Sequence, residues 1–186
     1  MSNFFIVTVF IGFGAWIYYG YHERRVKARA EEFRLAILAA ELKIRNMLAR
    51  RKIEERLSDR DFSYHRTGLD ILWILSENSF SSKVQYLHTI LHEAIHWTGE
   101  YLGRPQYDFS RDRYASGRNV RGYALEELVA EIGAWMLCQH FGLPASVKAS
   151  QNYMNGYLYR RRNQTKMLAE AQIHADAAVK LLLLYP

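Results

Sequence analysis

His92-Glu93-Ala94-Ile95-His96 sets two imidazoles four residues apart with a carboxylate between them. Residues four apart share one face of a helix, so both rings can reach a single Zn2+. Glu93 points close to such an ion without being forced to bind it. It is placed to take a proton from water at the metal, the general-base role in metal-assisted hydrolysis. A catalytic zinc needs a third protein ligand and one position left for water. The carboxylates at Glu126-Glu127-Leu128-Val129-Ala130-Glu131, leading into the apolar stretch Ile132, Ala134, Trp135 and Leu137, can supply it. Acids on the inner face of a helix are costly unless paired or ligating. Glu127 and Glu131 are four apart, so one can bind the metal while the other orients a ligating histidine from behind. Glu126 is expected to point to solvent. An acidic helix start favoured by the macrodipole accounts for Glu126 and Glu127, but poorly for Glu131 one turn further in.

The elements that must position these groups follow from local pattern. Residues from Tyr86 to Trp97 have helical character, with Gly99 as a stop. Upstream, Phe62–Arg66 and Leu69–Leu75 flank Thr67-Gly68 and predict a β-hairpin. A strand just before a metal-binding helix can hold an extended peptide by edge addition. His88 shares the His92 face one turn away and is expected beside the ligands rather than among them. His65 lies on the expected edge strand. Tyr123, Tyr153 and Tyr157 are candidates to stabilise an oxyanion. Arg160-Arg161-Arg162 reads as a solvated helix face, and Cys138, among Met136, Leu137 and Phe141, reads as core.

The run Thr89–Gly99, then Arg104, then Tyr123–Ala134 resembles the zincin-like metallopeptidase domain of ArdC-type antirestriction proteins and of polyvalent proteins of phages and plasmids. The resemblance covers about Asp61 to Pro144 and continues weakly through Tyr153, Tyr157, Leu158 and the alanine-rich helix Met167–Leu184. It implies His92 and His96 as zinc ligands, Glu93 as catalytic base, Glu127 as third ligand and Glu131 as its supporting acid. It implies hydrolysis of a peptide bond in a protein or peptide substrate. The alternative is a non-hydrolytic assembly or DNA-protection protein built on the same fold. ArdC-type proteins carry a single-stranded-DNA-binding region before this domain, where the present chain has a different N-terminal part.

That part is divided in two. Residues 4–21 carry no charge; as a helix they would span roughly 27 Å, close to the thickness of a bilayer core. Trp16, Tyr18, Tyr19 and Tyr21 crowd its end, as at a membrane interface. No basic residue precedes the run and no small-residue cleavage site follows it, which argues against a signal peptide. Arg24, Arg25, Lys27 and Arg29 come next, so the positive-inside rule puts the N-terminus outside and the remainder on the cytoplasmic or virion-interior side. Residues 22–60 lack Gly and Pro and hold twelve Lys/Arg against seven Asp/Glu, which predicts a basic helical stem. Val26, Ala30, Phe33, Ile37, Ala40, Ile44 and Met47 trace a heptad seam along it. The seam suits either self-association or packing on the protein's own domain.

Among 186 residues, 49% are apolar and 24% charged, with one cysteine. These values exclude a wholly disordered chain and a small disulfide scaffold. The net charge of +6 and the pI of about 9.4 suit anionic lipid or, with weaker support, nucleic acid. The expected architecture is a transmembrane anchor over residues 1–21, a stem over 22–60, and a mostly helical α+β zincin-like domain with a small β-hairpin or sheet over 61–186.

Overall fold

The computed structural model describes residues 22–66, 68–104, 122–144, 149–159 and 163–184, and gives the helical backbone alone for 2–21, 120–121 and 147–148. Helix α1 spans Ser2–Arg50, followed by strands β1 (Glu54–Leu57), β2 (Tyr64–His65) and β3 (Ile71–Ile74). After a 3-10 turn at Glu77–Ser79 come α2 (Lys83–Tyr101), α3 (Val120–Phe141), α4 (Val147–Leu158) and α5 (Gln164–Leu183). The chain divides into two compact units, Met1–Ala39 and Ala40–Pro186. A mostly helical α+β fold with a small sheet matches the expectation from sequence.

The first unit is helical and its charged pairs lie on its surface, among them Lys27–Glu23 and Arg34–Glu31. Among the described residues, no helix is long and apolar enough to cross a membrane. The expected transmembrane anchor over 1–21, its lipid-bilayer partner and the single-pass localisation with the N-terminus outside are therefore corrected. The uncharged run that suggested them lies outside the described residues.

In the second unit, α1 ends earlier than the expected stem. Ile53 N–H bonds Leu48 O at 2.9 Å and Lys52 N–H bonds Ala49 O at 3.0 Å, with Lys52 at φ 57°. This is a Schellman close, in which Lys52 takes the left-handed position that glycine usually fills. Leu48 and Ile53, both buried, form its apolar seal. The residues beyond then form β1, so 54–57 are strand where a helix was expected. Of the heptad seam, Ala40, Ile44 and Met47 are fully buried in this unit, whereas Val26 and Phe33 are each 53% exposed.

The sheet order is β1-β3-β2, with β1 parallel to β3 and β2 antiparallel to it. The expected hairpin is β2 and β3, registered Tyr64↔Trp73 and His65↔Leu72. In β3, Leu72 and Ile74 are buried while Ile71 and Trp73 are half-buried, the alternation of a strand covered on one face. The sheet packs on α2 through β3 and β2, and α3 packs against α2, α4 and α5. Ala171, Ala175 and Ala178 are fully buried along α5, and their small side chains let it approach α3 closely. The metal-site helices α2 and α3 therefore lie at the middle of the core.

Candidate metal centre

Helix α2 starts at Ser82, whose hydroxyl accepts the Gln85 N–H at 3.2 Å, a standard N-cap. Leu87, Ile90, Leu91, Ala94 and Ile95 bury its apolar face completely. Gly99 does not stop the helix, which runs on to Tyr101 and keeps Gly99 buried. Two bonds to Asp70 Oδ1, from Trp97 Nε1 at 2.8 Å and from the Tyr101 hydroxyl at 2.6 Å, tie its last turns to the start of β3. Burying α2 carries His92, Glu93 and His96 inside with it; each is at most 9% exposed.

Helix α3 brings the carboxylates against them. A Cβ on Gly133 would stand 2.6 Å from Ile95 Cδ1 and 2.8 Å from its Cγ1. The absent side chain thus allows α2 and α3 their close approach beside the site. His92 Nε2 lies 3.2 Å from His96 Nε2 and 3.5 Å from Glu127 Oε2, and His96 Nε2 lies 3.8 Å from Glu127 Oε1. Ligand atoms about 2.0–2.1 Å from a tetrahedral ion stand roughly 3.3 Å from one another. The observed separations fit one divalent ion, and these three residues are the set whose ligand atoms all fall within 4.8 Å of each other among the described residues.

The charge balance asks for a cation. Burial alone would push the His92 imidazole down, but bonds to Glu127 and Glu131 raise it to about 10. Burial would likewise raise the Glu127 carboxyl, yet bonding to His92, the charges of both histidines and the Tyr153 hydroxyl hold it well below the ordinary range. Glu131 is depressed in the same way by His88 and His92. Three carboxylates, of which Arg104 pairs only Glu126, surround the two buried imidazoles, an excess of negative charge that a cation would balance.

The outer nitrogens of both rings face carboxylates of α3. His92 Nδ1 lies 3.3 Å from Glu131 Oε2, and His96 Nδ1 lies 3.1 Å from Glu126 Oε1. Glu126, expected at the solvent, is instead fully buried. It is held by Arg104 through Nε at 2.9 Å and Nη2 at 2.6 Å. Arg104 pays for that burial electrostatically, since a lone buried carboxylate is costly. Two adjacent acids with a third four residues on, in an apolar helix, were a usable signal for Glu126. Arg104 stands 22 positions away with no periodicity to link it, and only the resemblance included it.

Other residues singled out from sequence fall around this centre. His88 Nε2 is 3.4 Å from Glu131 Oε1, behind the acid and away from the triad. The Tyr153 hydroxyl donates to Glu127 Oε2 at 2.7 Å and lies 3.2 Å from that of Tyr157. Tyr123 meets the Tyr157 ring edge-on with centroids 5.8 Å apart, so the three candidate phenols line the Glu127 side. His65 pairs with Leu72, on the buried face of the sheet, and its Nε2 is 2.9 Å from Leu69 O. Cys138 is fully buried and burial pushes its thiol up to about 12. Arg160-Arg161-Arg162 lie outside the described residues.

Comparison with known proteins gives this geometry a context. A family model described as a zincin-like metallopeptidase matches residues 28–174. The Mn(II)-bound crystal structure of the antirestriction protein ArdC from plasmid R388 is 30% identical with a TM-score of 0.50, over 77% of this chain and 53% of that one. DNA primase TraC of Escherichia coli is 33% identical over 88 residues, 47% of this chain and 8% of the primase. The chain thus spans about half the length of the antirestriction protein and a small part of the primase.

Proposed function

The chain belongs to the zincin-like metallopeptidase family, and on that premise we propose that it is a metal-dependent protein of a mobile element that protects incoming DNA in the antirestriction manner. His92, His96 and Glu127 hold one zinc ion, and Glu131 and Glu126 orient the two imidazoles from behind. The carrying observation is the convergence of these three ligands in a fold similar to that of an antirestriction protein. A divalent ion, when bound, supplies a Lewis acid and a nucleophile available at neutral pH. The protein's own contribution is placement. The two rings are locked by carboxylates, Tyr153 holds Glu127, and Glu93 sits 8% exposed between the histidines.

A second reading, hydrolysis of peptide bonds, is favoured by Glu93 itself, because a site that only stabilises the fold needs no base. One set of variants separates the two. Transfer of unmodified DNA into restricting cells is scored for the wild type, His92→Ala and Glu93→Gln, alongside zinc content and cleavage of a denatured protein mixture. Protection in the wild type that is lost in His92→Ala and retained in Glu93→Gln, with no cleavage, is the expected result. Loss of both protection and cleavage in a zinc-loaded Glu93→Gln would favour hydrolysis. Absence of zinc and of protection in the wild type would refute the proposal.

A further inference from the structure

We propose that Arg104 is a positioning residue that clamps the two ligand-bearing helices together and holds the His96 ring in its ligating orientation. The proposal deepens the metal-centre reading and rests on it. Arg104 is 4% exposed. Its Nη1 donates to Thr98 Oγ1 at 2.8 Å and its Nη2 to the Ile95 carbonyl at 2.9 Å, both on α2. Its Nε and Nη2 hold the two oxygens of Glu126 on α3 at 2.9 and 2.6 Å. One side chain therefore bridges the last turns of the histidine helix and the first turns of the carboxylate helix.

Only a guanidinium can do this. Its planar fork grips both carboxylate oxygens while its remaining N–H groups reach elsewhere, whereas an ammonium is a point donor. Glu126, fixed on one side by Arg104, receives His96 Nδ1 on the other at 3.1 Å. A ring whose Nδ1–H is held by a carboxylate cannot rotate and keeps its Nε2 lone pair aimed at the metal position. The His92 branch has a different end: Glu131 of α3 meets His92 and His88 of α2 directly, with no third residue clamping it among those described. Arg104 thus ties α2 to α3 on the His96 side of the triad.

The test uses the full chain with Arg104→Met, Arg104→Lys, Glu126→Gln and the double variant Arg104→Met/Glu126→Gln. Zinc affinity is measured by chelator competition, and the His96 Nδ1–H resonance is followed by 15N-histidine NMR without metal. Arg104→Met and Glu126→Gln should each weaken zinc about 10- to 100-fold, and the double variant no further than the weaker single. Arg104→Lys should recover part of the affinity. The resonance, protected in the wild type, should broaden or vanish in both Arg104 variants. A folded Arg104→Met with lowered melting temperature but unchanged affinity and resonance would reduce Arg104 to a merely structural role and overturn the proposal. If that variant does not fold, unchanged affinity and resonance in Arg104→Lys and Glu126→Gln overturn it equally. A wild type that takes up no zinc, yet whose resonance depends on Arg104, refutes the metal reading and leaves the clamp standing.

Discussion

At the residue scale, the centre works by backing each ligating ring with a carboxylate. His92 and His96 each present Nε2 to the triad and turn Nδ1 to a carboxylate, so neither ring is free to choose its orientation. The spacing of the histidines was legible in the sequence because i,i+4 geometry is local, whereas only the resemblance singled out Glu127 among the acids. The burial of Glu126 was not, because a charge that looks solvated in sequence becomes affordable only beside Arg104. His65, outside the ligand set but within reach of the charge of His96, offers a titration test. Burial lowers its imidazole to about 4 against an ordinary 6.5, a shift partly offset by its bond to the Leu69 carbonyl. The unfolded chain therefore binds a proton below about pH 6.5 that the folded chain refuses until about pH 4, and stability falls across that window as pH drops. Urea unfolding at pH 7 and pH 4.5 should show the wild type losing on the order of 1–2 kcal/mol more than His65→Asn, after allowance for solvent screening of a half-buried ring. An equal loss in both would remove His65 from the account.

At the element scale, the site is a crossing of two helices whose distance is set by a missing side chain. Gly133 faces Ile95, which is fully buried one residue before His96. Gly133→Ala should cost about 1–3 kcal/mol by overpacking and should weaken zinc by pushing the carboxylates away from the histidines. Ile95→Val in the same chain, which removes the nearest atom, should return part of both. Thermal melts and chelator competition check the pair; a Gly133→Ala protein as stable and as tight as the wild type would show that the helices relax freely. The helix over the histidines and the hairpin before it were readable from period and turn residues. Two boundaries were not. Gly99 lies inside α2 because tertiary packing overrides a weak intrinsic preference. Helix α1 ends at Arg50 and is closed by Lys52 in a left-handed conformation that no glycine announces.

At the scale of the whole molecule, the centre joins the sheet-bearing α2 to α3, the hub for α4 and α5. A ligand that binds the folded state alone stabilises all of it. Zinc at a hundredfold excess over its Kd should add about 2.7 kcal/mol, read as a rise in melting temperature that chelator reverses and Glu127→Ala abolishes. A melting temperature indifferent to zinc in the wild type would count against the ligand set. The sequence by itself determined the chemistry on offer: two histidines and a base on one helix, and a run of acids on another. Those are consequences of residue type and helical spacing, which the chain carries locally. The tertiary structure alone decided which acid meets which ring, that Glu126 is buried, and that Arg104 bridges the two helices. It also carried Ala40, Ile44 and Met47 of the seam into the core while leaving Val26 and Phe33 exposed. Each of these depends on contacts between residues far apart in the chain, and burial changes the cost of a charge or an apolar face only once those contacts exist.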